Sequence, residues 1–132
     1  MINIKRIYDE PSEEDGIRIL VDRLWPRGVS KEKAGINFWF KDIAPSNELR
    51  KLFHTAAIGF NEFKERYLKE LSEYSGSHDA SGRQDPDNSL QKISELLKNR
   101  DKNITLLYGL KDERNNNAAV LREFILKSSV TD

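Results

Sequence analysis

The sequence predicts an α/β fold, a small and mostly parallel sheet of three to five strands packed by helices. Two short apolar runs, Ile19-Leu20-Val21 and Ile104 to Tyr108, lack the alternation of a half-exposed strand. They suit strands buried on both faces, as parallel strands are. Between them lie stripes of helical period at Leu49/Leu52/Phe53, at Phe60/Phe63/Tyr67/Leu71 and at Leu90/Ile93/Leu97. Helices that separate strands favour parallel pairing through crossover connections.

The elements follow in order. Ile2 to Tyr8 alternates with one break, which fits a strand with an exposed or edge-facing side. Asp9 to Gly16 is loop, because Pro11, a run of acids and Gly16 punctuate it. Ile17 to Trp25 is read as the second strand. Pro26 removes a ladder donor there and Gly28 permits a left-handed turn, so the strand is expected to end at the arginines. Ser30 caps a short helical turn through Ala34, and Phe38 to Asp42 is a candidate fourth strand. Ser46 caps the next helix, with Glu48 favourably placed in its first turn. A helix over Asn61 to Ser72 follows, and Ser75 to Asp87 is read as a mobile surface loop. Asn88-Ser89-Leu90-Gln91 opens a helix to about Lys98. After the strand at Ile104 to Tyr108 the chain turns over Gly109 to Asn116, and Ala118, Leu121, Phe124 and Ile125 form the apolar face of a last helix.

With 132 residues the chain suits a single domain that buries a core without disulfides. It has no cysteine, which removes thiolate metal sites and cysteine nucleophiles and fits a reducing compartment. The first residues carry charge and no apolar run, so neither a signal nor a membrane span is expected, and the protein is placed in the cytoplasm. Twenty-two basic and twenty-two acidic residues cancel, so no global field draws the chain to nucleic acid, although a local basic patch could.

Three segments carry a family likeness: Val21-Asp22-Arg23-Leu24-Trp25-Pro26-Arg27-Gly28, Asp42-Ile43-Ala44-Pro45-Ser46 with Glu48-Leu49-Arg50-Lys51, and Thr105-Leu106-Leu107-Tyr108 followed by Lys111-Asp112-Glu113. Through them the chain resembles the YeaO-like family, a bacterial domain of unknown function (488), over nearly its whole length outside Ser75 to Ser89. The resemblance implies a compact α/β domain and brings no particular reaction. Where relatives often carry His or Gln followed by Asn after the last strand, this chain has Asn115 followed by Asn116, which excludes an imidazole acid or base there. The segment His54-Thr55-Ala56-Ala57 also lacks the acidic turn of many relatives.

Ligands of open α/β sheets sit beyond the carboxyl ends of the strands, and two strands here end in polar clusters. Asp22, Arg23, Trp25 and Arg27 follow one; Lys111, Asp112, Asn115 and Asn116 follow the other. If the two strands are parallel neighbours, the clusters share a rim where an anion could meet two guanidinium forks and the N–H groups that open the last helix. The competing explanation is structural. Buried charge left unpaired costs about 3 to 5 kcal/mol, so folding alone could demand Arg23–Asp112 or Arg27–Asp22 pairs. Trp25 and Trp39 could stack on a base or simply fill the core. Asn115 to Asn117 could be cap and turn residues.

His54 and His78 have no partner at metal-ligand spacing, so neither a metal nor a cofactor is expected, and His54 fits best as a charge partner for a helix carboxyl terminus. No serine elbow, phosphate-cradling glycine loop or deaminase signature is present. Asp22 or Asp112 could serve as a base, which leaves open whether the protein is an enzyme. The leading expectation is a small anionic ligand, a nucleotide or phosphorylated metabolite, held by Asp22, Arg23, Trp25, Arg27, Asp112, Asn115 and Asn116. The alternative is a nucleic-acid or protein interaction module using Arg23, Trp25, Arg27, Lys31 and Lys33. Oligomeric state is left open.

Overall fold

A computed structural model describes residues 1–75, 88–99 and 101–129. Four strands, β1 (Ile2–Arg6), β2 (Ile17–Leu20), β3 (Phe38–Trp39) and β4 (Ile104–Tyr108), form one sheet in the order β1-β4-β2-β3. Every neighbouring pair is parallel. The helices are α1 (Lys31–Ala34), α2 (Asn47–His54), α3 (Phe60–Ser75), α4 (Ser89–Leu97) and α5 (Asn117–Ser129), with single 3₁₀ turns at Glu13–Asp15 and Lys41–Ile43. The expected α/β architecture is therefore observed, and Phe38–Trp39 is a short strand.

Position in the sheet follows composition. β4 has all five residues buried and lies between β1 and β2, with Ile104 opposite both Ile2 and Ile17. Its threonine hydroxyl is satisfied, as Thr105 Oγ1 donates to the Asp15 carbonyl at 2.7 Å. β1, which carries Asn3, Lys5 and Arg6, and β3, of only two residues, take the edges.

Both faces of the sheet are covered, as a parallel sheet requires. One face contributes Ile19, Val21, Ile104, Leu106 and Tyr108 to a large core with Leu49, Phe63, Tyr67, Ile93 and Leu121 from the helices. The other contributes Leu20 and Leu107 to a smaller core with Ile7 and Ala34, flanked by Trp25, Val29, Ile36 and Trp39. Alternation along β2 puts Arg18 on this second side, where Nε and Nη2 donate to the Ala34 carbonyl at 3.1 and 2.8 Å.

The caps sit where the sequence indicates. Ser30 Oγ accepts from the Lys33 N–H, Ser46 Oγ from Leu49, and Asn88 Oδ1 from Leu90 and Gln91. Gly28 adopts φ +78°, the left-handed turn expected of it. Several boundaries differ from expectation: β1 ends at Arg6 and not at Tyr8, and β3 at Trp39 and not at Asp42. β2 stops at Leu20 and not at Trp25, because the Val21 N–H makes the last bond to β4, at Leu107, while the Val21 carbonyl is taken by the Asn117 side chain at 3.1 Å. Helix α3 runs from Phe60 to Ser75, longer at both ends than the expected Asn61 to Ser72. Of the stretch read as a mobile loop, residues 76–87 lie outside the described residues, and His78 with them. Among the described residues no helix is long and apolar enough to cross a membrane.

Candidate functional site

Parallel pairing of β2 with β4 places their carboxyl ends side by side, so Asp22 and Gly109 meet just beyond the sheet. Asp22 Oδ2 accepts the Gly109 N–H at 2.9 Å, and Oδ1 accepts Asn117 Nδ2 at 3.0 Å. Asn117, the first residue of α5, bonds the Val21 carbonyl with the same amide. One carboxylate thus ties together the ends of β2 and β4 and the start of α5. The approach is close at Gly109, where a Cβ would lie 3.0 Å from Asp22 Oδ2 and would push the carboxylate aside by a few tenths of an ångström.

A cavity of about 220 Å³ opens beside this junction. Asp22, Asn117 and Gly109 line it, as do Arg50 and His54 from the last turns of α2, together with Tyr8 and Arg23. Its remaining wall is apolar, with Leu24, Trp25, Pro45, Phe53, Phe63 and Leu110. Phe53 and Phe63 stack with centroids 4.4 Å apart. Arg50 Nε is withdrawn from solvent and has no hydrogen-bond partner among the described residues. Buried polar atoms are nearly always paired, so this one is conspicuous. Desolvation pushes the Asp22 carboxyl above its ordinary range; the hydrogen bonds from Asn117 and Gly109 and the proximity of His54 and Arg50 oppose that rise without cancelling it.

Three of the sequence-indicated residues, Asp22, Arg23 and Trp25, surround the cavity; Arg27, Asp112, Asn115 and Asn116 do not line it. Arg23 Nε donates to the Pro45 carbonyl at 2.9 Å and Nη2 to the Ala44 carbonyl at 3.3 Å. Trp25 donates its indole N–H to the Val29 carbonyl, and Trp39 donates to the Asp22 carbonyl, each at 2.7 Å. The two rings meet edge to face at 5.3 Å. Arg27 is exposed. Asp112 closes its own turn: Oδ1 accepts the N–H groups of Arg114 and Asn115, and this holds its carboxyl below the ordinary range. Asn116 is buried and caps α5 by accepting the Ala119 N–H at 2.8 Å, with its amide on the Asp112 carbonyl. Among the described residues, Arg23–Asp112 and Arg27–Asp22 form no ion pair.

The charge that folding does pair lies at the other end of β2. Asp15 binds Arg18 Nη1 at 2.5 Å and Lys5 Nζ at 3.2 Å, and both Asp15 and Arg18 are buried. Sequence reasoning does not mark Arg50 or Asp15, and it offers Asn117 only as a cap or turn residue. A signal for Arg50 existed in its spacing from Phe53 and His54, which puts the three on neighbouring positions of α2. Among the described residues no group of three or more His, Asp or Glu side chains is arranged to hold a metal ion.

A family model described as the inactive DUF488-N3 subclade matches residues 1–131. The protein YeaO of Escherichia coli (strain K12) is 39% identical over 124 residues, which is 94% of this chain and 96% of that one. Two mycobacterial proteins, Mb3100c of Mycobacterium bovis and Rv3073c of Mycobacterium tuberculosis (strain H37Rv), are each 43% identical over 70 residues, 53% of this chain and 59% of theirs. No solved structure matches.

Proposed function

The chain belongs to the inactive DUF488-N3 subclade, and from that premise we propose that it binds a small organic anion in the cavity beside Asp22 without transforming it. The observation that carries this reading is the Arg50 Nε. A donor atom buried without a partner costs roughly 1 to 3 kcal/mol, and an anion brought against Arg50 would remove that penalty. The position agrees with the rule that ligands of parallel α/β sheets sit beyond the carboxyl ends of the strands. The size favours a small ligand, since 220 Å³ lies below the roughly 300 to 1,000 Å³ of drug-sized sites. The word "inactive" in the description of the subclade favours binding over turnover, as does the engagement of both Asp22 oxygens in bonds that hold the fold.

The test is a titration of the ¹⁵N-labelled protein with inorganic phosphate, acetate and adenosine monophosphate. A ligand in the cavity shifts the Arg50 Nε–H and Gly109 N–H resonances in a saturable way, and Arg50→Gln weakens the response about tenfold or more while the rest of the spectrum is kept. Unmoved resonances across the series would sink the proposal.

A second reading has its own support in the exposed cations Arg27, Lys31 and Lys33 and in Lys41, whose Nζ lies 4.0 Å over the Trp39 ring. It casts this face as a nucleic-acid contact. It requires affinity for DNA or RNA that falls steeply with salt, with the slope reduced by about one for each phosphate-contacting cation removed. Salt-independent or absent binding in a mobility-shift titration eliminates it.

A further inference from the structure

We infer that the anion taken up beside Asp22 is a ring-bearing monocarboxylate, an acid with one aromatic or heteroaromatic ring, and not a phosphate ester. This rests on the anion-binding reading above and narrows it by size, wall chemistry and charge. An apolar void of about 150 Å³ accepts a benzene molecule. A cavity of about 220 Å³ therefore has room for one ring and a carboxylate.

The lining has both kinds of group. Leu24, Trp25, Phe53, Phe63 and Leu110 offer apolar surface for a ring, while Arg23, Arg50, His54, Asp22 and Asn117 supply polar groups. A bare inorganic anion would leave the apolar wall unused. A ring laid against it removes that surface from water and can meet the Phe53–Phe63 stack.

Charge selects among anions. Arg50 presents a fork whose Nε lacks a partner, which matches the two oxygens of a carboxylate. Arg23 has committed Nε and Nη2 to backbone carbonyls. The Asp22 carboxylate faces the same space. A ligand with a single negative charge satisfies Arg50 and meets little opposition from Asp22. A phosphate monoester, carrying roughly 1.5 to 2 negative charges at pH 7, brings a second charge for which the cavity offers only His54 and Arg23, the latter with Nε and Nη2 already committed to backbone carbonyls.

The experiment is isothermal titration of the full chain with acetate, phenylacetate, phenyl phosphate and inorganic phosphate, followed by phenylacetate against Arg50→Gln, Arg50→Lys and Leu24→Ser. The expected result is that phenylacetate binds about tenfold or more tightly than acetate, and more tightly than phenyl phosphate. Arg50→Gln and Arg50→Lys both lose that affinity, the second because an ammonium keeps the charge but not the fork. Leu24→Ser, at an exposed position where the fold tolerates change, weakens phenylacetate and leaves acetate unaltered. Equal affinity for acetate and phenylacetate, tighter binding of phenyl phosphate, or unaltered affinity in Arg50→Lys overturns the ring-bearing monocarboxylate and leaves the anion site standing. Binding of none of the four anions overturns both.

Discussion

Arg18, buried, and Arg50, half-buried with its Nε withdrawn from solvent, show how differently two guanidinium groups are treated. Arg18 is 4% exposed and fully engaged, by Asp15 on one side and the Ala34 carbonyl on the other. Asp15→Ala removes the countercharge and leaves the cation buried, so it is expected to cost about 3 kcal/mol, the low end for a broken buried pair because the Ala34 bonds survive. Urea denaturation of the variant measures this, and a loss below about 1 kcal/mol would show that the pair is relaxed by water. Arg50 has no such partner among the described residues, and that contrast is why one arginine is assigned to the fold and the other is proposed to meet a ligand. Neither role was legible in the sequence. Arg18 reads as one polar residue in an apolar strand, and its partner is separated from it by a glycine and a change of element. Arg23 is the reverse case: sequence reasoning sought a carboxylate for it, and the chain supplies the carbonyls of Ala44 and Pro45 instead.

At the scale of elements, the caps and the apolar stripes were legible and the opposite helix faces were not. A stripe such as Leu49/Leu52/Phe53 states which side of α2 is buried but is silent on what the adjacent positions 50 and 54 face. That depends on where β2 and β4 end. The three asparagines of 115 to 117 pose the same problem, since composition cannot separate them. The helical start decides: Asn116 becomes the cap, and Asn117, one position on, faces Asp22. The junction of α2 with α3 rests on Ser46, whose Oγ caps α2 and also donates to Glu70 Oε2 at 2.6 Å, while its N–H donates to Oε1. Ser46→Ala therefore loses more than a cap. It is expected to cost about 1 to 2 kcal/mol, at the upper part of the range for capping residues, because a carboxylate loses a charge-assisted bond as well. Thermal unfolding detects a lowered midpoint; an unchanged one would mean that water replaces the hydroxyl at both partners.

Across the whole molecule, the two ends of β2 carry carboxylates whose titrations oppose each other. At the amino end, burial works to raise the Asp15 carboxyl, but the Ser12 N–H, Lys5 and Arg18 outweigh it and the group lies below its ordinary value of 3.8. A depressed folded value means that the unfolded chain binds the proton more readily. The contribution of Asp15 is thus fully present above pH 3.8 and is lost as the pH falls through the folded value. At the carboxyl end, desolvation holds Asp22 above 3.8 in spite of Asn117 and Gly109. The folded chain there binds the proton more readily, so the contribution of Asp22 is greatest below pH 3.8 and is lost as the pH rises through its folded value. Unfolding free energies of the wild type, Asp15→Asn and Asp22→Asn across the acid range separate the two. The difference between wild type and Asp15→Asn should grow with rising pH in the interval just below 3.8, and that between wild type and Asp22→Asn should shift the opposite way above it. Parallel curves for the two variants would contradict the assignment of one carboxylate to a paired scaffold and the other to a desolvated cavity. Opposite slopes would set the desolvated carboxyl end of β2 apart from its charge-paired amino end.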